Sequence, residues 1–281
     1  MIKFGPAGTA ESFKAMGYKD SSAIPEYLSR FSLNAFEYQC GRGVNIREDK
    51  AALLGLGFKE KGITVSLHSP YYISLSSVEE EKRIKSIDYI MQSARAVNAM
   101  GGERIVIHSG SCSKISREEA TALAMDTLKK ARGTLVGEGL SHIVLCPETM
   151  GKINQLGDLS EVMKLCSVDE SFIPCIDFGH LNARTKGEIK EKADYEKIFD
   201  IMEKQIGSDR TKRFHSHFSK IEYSEGGEVR HLTFTDDKFG PLPEQLLEVV
   251  YKRGYEPTFI CESAGTQTED AQFMMNYYNS L

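Results

Sequence analysis

The 281-residue chain has no run approaching the ~20 consecutive apolar residues that a membrane-spanning helix needs. Its first residues, MIKFGPAGTAESF, lack the apolar core of a secretory signal, which places the protein in the cytoplasm as an expectation. It has six cysteines (Cys40, Cys112, Cys146, Cys166, Cys175 and Cys261) but no CxxC pair. Several of them lie inside apolar runs (IVLCPE, FIPCID, FICES), so they read as buried, reduced thiols rather than disulfides or catalytic nucleophiles. Nor is there an excess of positive charge. The formal net charge is −5, unlike the basic surface that usually marks a nucleic-acid-binding protein. Bound divalent ions belong in that balance, because an ion is often the largest charge in its site. The chain shows no linker, no low-complexity tract and no internal repeat, so residues 1–281 are expected to form one domain. After the first apolar run comes FGPAGTAES, which does not fit the GxGxxG loop of an open nucleotide-binding sheet.

What the chain does have is alternation. Eight short β-rich runs are separated by longer helical patterns: IKFGPA from Ile2, AFEYQC from Ala35, ITVSLHS from Ile63, RIVIHSG from Arg104, HIVLCPE from His142, FIPCIDF from Phe172, RFHSHFS from Arg213 and TFICES from Thr258. Between them, Val78–Met100 and Arg117–Val136 read as amphipathic helices. In the second, Ala120, Leu123, Ala124, Thr127, Leu128, Ala131 and Leu135 recur at helical spacing. Gly101, Gly133, Gly137, Gly139 and Gly254 stand near the expected helix ends. Strands alternating with helices imply parallel pairing through right-handed crossovers. The expected fold is a single closed (β/α)8 barrel (TIM barrel).

The positions of the chemically active residues are informative. His68, His108, His180, His215 and His217 fall on or just after the C-terminal ends of proposed strands, and His231 follows in the next connection. Glu148, Asp177 and Glu262 occupy the same level. In a (β/α)8 barrel that rim is where active sites lie. A lone histidine at a strand end is commonly a structural hydrogen-bonding group, but so many ligand types converging on one rim is a pattern of another kind. Clustered carboxylates repel unless cations sit between them. Mixed imidazole and carboxylate donors suit zinc, manganese or iron, and they outnumber what one tetrahedral ion needs, so two or three ions are expected.

Read in order, LHSPYYISLSS, VIHSGS, PETMGKINQLG, CIDFGHLNAR, HSHFSK and VRHL resemble endonuclease IV, the second structural family of abasic-site endonucleases. The resemblance runs from His68 to Glu262. It implies a barrel holding three zinc ions that cleaves DNA 5′ to abasic sites by zinc-activated hydroxide. By that resemblance His68, His108 and Glu148 hold one ion. Glu148 bridges to a second, held also by Asp177, His215 and Glu262, and His180 and His231 hold the third. Glu148 and Glu262 become the catalytic carboxylates. The family's third ion also takes an aspartate two residues before its last histidine. Here that position is Val229, leaving Glu228, His217 or water to fill the place. Tyr71 and Tyr72 match the residues with which the family enters the DNA stack, and Arg42 in CGRG matches one that fills the gap. The implied partner is damaged double-stranded DNA, bound by a monomer with no membrane association.

A second reading comes from the sugar isomerases and epimerases of the same barrel superfamily. One ion held by Glu148, Asp177, His215 and Glu262 suffices there, with carboxylates moving protons beside a carbonyl. His68, His108 and His231 are not needed as ligands in that chemistry. A third reading, a metal-binding barrel without catalysis, has no feature of its own in its favour.

Overall fold

The computed structural model describes residues 1–112 and 115–281. Its wall is built from β1 (Lys3–Pro6), β2 (Ala35–Gln39), β3 (Thr64–His68), β4 (Arg104–His108), β5 (Val144–Glu148), β6 (Cys175–Asp177) and β7 (His215–Phe218). A hairpin follows, β8 (Lys220–Ser224) and β9 (Gly227–Leu232), and β10 (Thr258–Cys261) completes the wall. The eight wall strands pair in parallel in the order β1-β10-β7-β6-β5-β4-β3-β2. A bridge between Ala7 and Glu37, with the Asn34 N–H donating to the Phe4 carbonyl at 3.2 Å, closes β1 against β2. The fold is a single (β/α)8 barrel. Its closure depends on Gly5, where a Cβ would lie 1.9 Å from the Ala35 carbonyl oxygen.

Helices cover the wall at 48–60, 80–99, 117–137, 159–166, 192–206, 243–253 and 267–279. Reciprocal caps stand at the heads of several, among them two with a side-chain N-cap. Ser116 and Glu119 form a capping box at the head of Arg117–Gly137, and Asp158 and Glu161 form another at the head of Leu159–Cys166. Gly101, Gly139 and Gly254, all at positive φ, follow helix ends as expected. Gly133 does not, because the Arg117–Gly137 helix runs through it and stops only before Gly139. Among the described residues no helix is long and apolar enough to cross a membrane.

Strand alternation sorts the side chains into two sets. Leu67, Ile105, Ile107, Leu145, Ile176, Phe214, Phe218 and Phe259 belong to the apolar core shared with the helices. The alternate positions meet inside the barrel, where they are mostly polar. Near its floor the Arg104 guanidinium reaches across to Thr258 Oγ1 (3.3 Å) and the Arg213 carbonyl (3.0 Å). Above lie Glu37, Ser66 and His215, and above those the histidine and carboxylate ring.

Candidate metal centre

Each wall strand from β3 onward ends on an ionisable residue or delivers one within a few residues. His68 closes β3, His108 closes β4 and Glu148 closes β5. Asp177 ends β6 and also caps the short helix Phe178–Arg184, its Oδ1 accepting from the His180 N–H at 2.7 Å. That turn carries His180 back over the barrel mouth.

Glu148 is buried at the centre. Its Oε2 lies 3.3 Å from His68 Nε2 and 3.5 Å from His108 Nε2. Its Oε1 lies 3.0 Å from His217 Nδ1 and 3.5 Å from His180 Nδ1. Among the described residues five groups each gather potential ligand atoms within 4.8 Å of one another, one of them His68, His217 and Glu262; three adjoining sets span the centre: His68, His108 and Glu148; Glu148, Asp177, His217 and Glu262; and His180, Glu228 and His231. Glu148 belongs to the first two. A cavity of about 250 Å³ lined by Ala7, Gln39, His231, Glu262 and Gln267 opens this region to solvent.

His217, rather than His215, joins the central set. Both project inward because they are two residues apart on β7, so the choice is made by register. Asp177 is level with His217, and Cys175 is level with His215. One layer lower, His215 gives its Nε2 to Glu37 Oε2 at 2.8 Å and is not gathered with Asp177 and Glu262. It does lie near Cys175 and His217, a further trio of potential ligands.

Glu228 stands with His180 and His231 where Val229 might have been sought. The cause is a β-bulge. β8 and β9 pair Glu222 with Arg230 but Tyr223 with Glu228, leaving Val229 as the extra residue. Beyond the bulge the alternation is reversed, so Glu228 shares a face with His231. Glu228 lies 3.5 Å from His180 Nε2 and 3.9 Å from His231 Nε2, while Val229 is 51% exposed. Ser219 fixes the other side of the His231 ring at 2.9 Å.

The donor chemistry fits divalent cations. Glu148, Asp177 and Glu262 crowd around His217, and Asp177 Oδ2 is buried without a hydrogen bond, its ion-pair partner being His180 Nδ1 at 3.3 Å, so this is a dense group of buried carboxylates of the kind that holds a cation. The buried groups shift one another's proton affinities. Burial is the largest influence on His68 and opposes its charge, but the hydrogen bond and charge attraction to Glu148, together with Glu37, outweigh it and raise its pKa to about 9. His180 is pushed up to about 10, since Asp177 and Glu148 outweigh its burial. His108, where burial dominates, falls to about 4. Glu148 is held well below the usual carboxylate range despite burial, chiefly by His217 and His180.

The three residues expected to contact DNA lie on loops at the same, C-terminal rim of the barrel. Tyr71 and Tyr72, 49% and 47% exposed, sit on the loop after β3 with ring centroids 4.5 Å apart. The Tyr71 N–H donates to the Gly41 carbonyl at 3.2 Å, which ties this loop to the one after β2 that bears exposed Arg42.

A family model described as a xylose isomerase-like TIM barrel matches residues 25–277. An uncharacterized protein of Methanocaldococcus jannaschii is 35% identical over 283 residues, covering 100% of this chain and 98% of that one. A probable endonuclease 4 of Aquifex aeolicus is 27% identical over 235 residues, covering 82% and 81% of the two chains. The solved structure of a 3-keto-D-glucoside 4-epimerase from E. coli shares the fold, with a TM-score of 0.71 at 13% identity over 100% of both chains.

Proposed function

Since the chain belongs to the xylose isomerase-like TIM-barrel family, we propose that within it this protein is a metal-dependent phosphodiesterase of the endonuclease 4 type, cutting duplex DNA 5′ to abasic sites and leaving a 3′ hydroxyl. The observation that carries this reading is the presence of three adjoining ligand sets rather than one. A one-ion isomerase uses only Glu148, Asp177, His217 and Glu262. It leaves the pairing of His68 with His108, and of His180 with Glu228 and His231, without a purpose. The similarity to proteins named endonuclease 4 supports the same reading.

In this proposal His68, His108 and Glu148 hold one ion, Glu148, Asp177, His217 and Glu262 a second, and His180, Glu228 and His231 a third. What zinc, manganese or iron supplies in such a setting is Lewis acidity, which makes water nucleophilic near neutral pH and offsets charge on a phosphodiester. The chain's own residues do the rest. Glu262 faces the open cavity and orients the attacking water. Glu148, fixed by its surrounding histidines, keeps the first two sets in register. Tyr71, Tyr72 and Arg42 occupy the place of the deformed DNA stack.

The test is incision of an abasic duplex against an intact one, with zinc or manganese supplied, together with metal content per chain. Incision only of the abasic strand and about three ions per chain are expected. Tyr71→Ala combined with Tyr72→Ala removes stacking of ~1–3 kcal/mol per base contact. Abasic incision then falls about tenfold or more, while hydrolysis of a small phosphodiester hardly changes. No incision under either metal, with about one ion per chain and interconversion of a ketose, would hand the site to isomerase chemistry, which the central set alone could serve.

A further inference from the structure

We propose that Glu37 is a positioning residue for the metal centre, a carboxylate that holds the His217 ring so that Nδ1, and not Nε2, is its metal-donor atom. This rests on the reading of the central set as a metal site. Glu37 lies on β2 and is fully buried inside the barrel, well away from β7 in the strand order. Its Oε1 accepts from His217 Nε2 at 2.8 Å and from Gln39 Nε2 at 3.1 Å. Its Oε2 accepts from His215 Nε2 at 2.8 Å and from Ser66 Oγ at 2.9 Å. A carboxylate has about four lone-pair sites, and four donors are aimed at this one.

The consequence for His217 is chemical. An imidazole that spends its Nε2–H on Glu37 has only the Nδ1 lone pair left to give. That atom lies 3.0 Å from Glu148 Oε1 and 3.5 Å from Glu262 Oε2, inside the central set. The opposite tautomer would set a lone pair against the Glu37 carboxylate and turn the Nδ1 proton towards Glu148 and Glu262, leaving no His217 lone pair for a cation in the central set. His215 obeys the same constraint. Its Nε2 serves Glu37, and its buried Nδ1 has no hydrogen-bond partner. One carboxylate thus sets two rings, of which only the upper one reaches the centre. A carboxylate behind a metal-bound imidazole commonly governs metal affinity by 10–100-fold.

Glu37→Gln keeps the shape but cannot accept from both histidines, because one of its two terminal groups is a donor. Zinc affinity, measured by chelator competition, is expected to fall by about 10–100-fold. In zinc-loaded, ¹⁵N-labelled wild-type protein the His217 ring should show its proton on Nε2 and a zinc-shifted Nδ1, a signature that a purely structural role for Glu37 would not set. A Glu37→Gln affinity within about twofold of wild type, or a wild-type ring protonated on Nδ1, overturns the proposal. The wild-type spectrum decides it alone should the variant not fold. Wild-type protein that takes up no divalent ion would instead overturn the metal reading itself.

Discussion

The outer shell and the interior of this barrel are made from the same strands and obey opposite rules. On the shell side Phe214, Phe218 and Phe259 pack against helices, and each buried apolar group adds stability independently of any charge. On the inner side Glu37, Glu148, Asp177, His215 and His217 are almost entirely buried, and each is tolerable only because of its neighbours. One side of each strand thus supports the fold while the other gathers buried charged groups that compensate one another, an arrangement suited to holding a cation. The difference teaches that the centre is not an outgrowth of the core. It is a separate polar system that the core surrounds and that opens to solvent at the rim.

The sharpest way to break the comparison is to damage one side and look at the other. Phe259 lies with ring centroids 5.6 Å from Phe4 and 6.0 Å from Phe214. Phe259→Ala is expected to cost ~3–5 kcal/mol in denaturant unfolding while metal content per folded chain stays the same; parallel loss of metal would show that the two systems are coupled. From the inner side, Glu148→Gln should weaken metal binding by ~100-fold, and more than His231→Ala does, because Glu148 serves two ligand sets and His231 one. Equal losses from the two variants would count against the shared role.

The smallest effect tests a charged pair on the outside. Burial disfavours ionisation of Glu161, but the Arg117 guanidinium at 2.6 Å and the N–H groups of Gly157 and Asp158 hold its pKa below the usual value. A depressed carboxyl stabilises the fold above its unfolded pKa, and that contribution is lost as pH falls through the lower folded value. Glu161→Gln should therefore cost ~1.5 kcal/mol near pH 7 and progressively less towards pH 3. A cost independent of pH would assign the effect to packing instead.

The barrel was legible because strands buried on both faces leave runs such as RIVIH and TFIC, and because His68, His108 and Glu148 each end one. What was not legible depends on register and closure. FHSHF presents two histidines to the interior, and only the pairing of β6 with β7 tells which of them stands beside Asp177. Glu37, in AFEYQ, has the alternation of an ordinary strand with one wet face. Nothing local says that the wall will close around it. Glu228 next to Val229 is invisible for a third reason, since a bulge is a property of two strands and not of one.

The third ligand set has a different provenance from the other two. Glu228 and His231 belong to a hairpin outside the barrel wall, joined to the rest of the rim where Lys152 bridges to Gly227 and where Gly151 and Gly227 lie too close to admit side chains. The wall's closure and strand order owe nothing to that hairpin. The number of ligand sets at the rim is therefore separable from the architecture that carries them. Shortening one connection, or moving one bulge by a residue, would take a lineage from three ligand sets to two without disturbing the wall, and the reverse change would be as accessible.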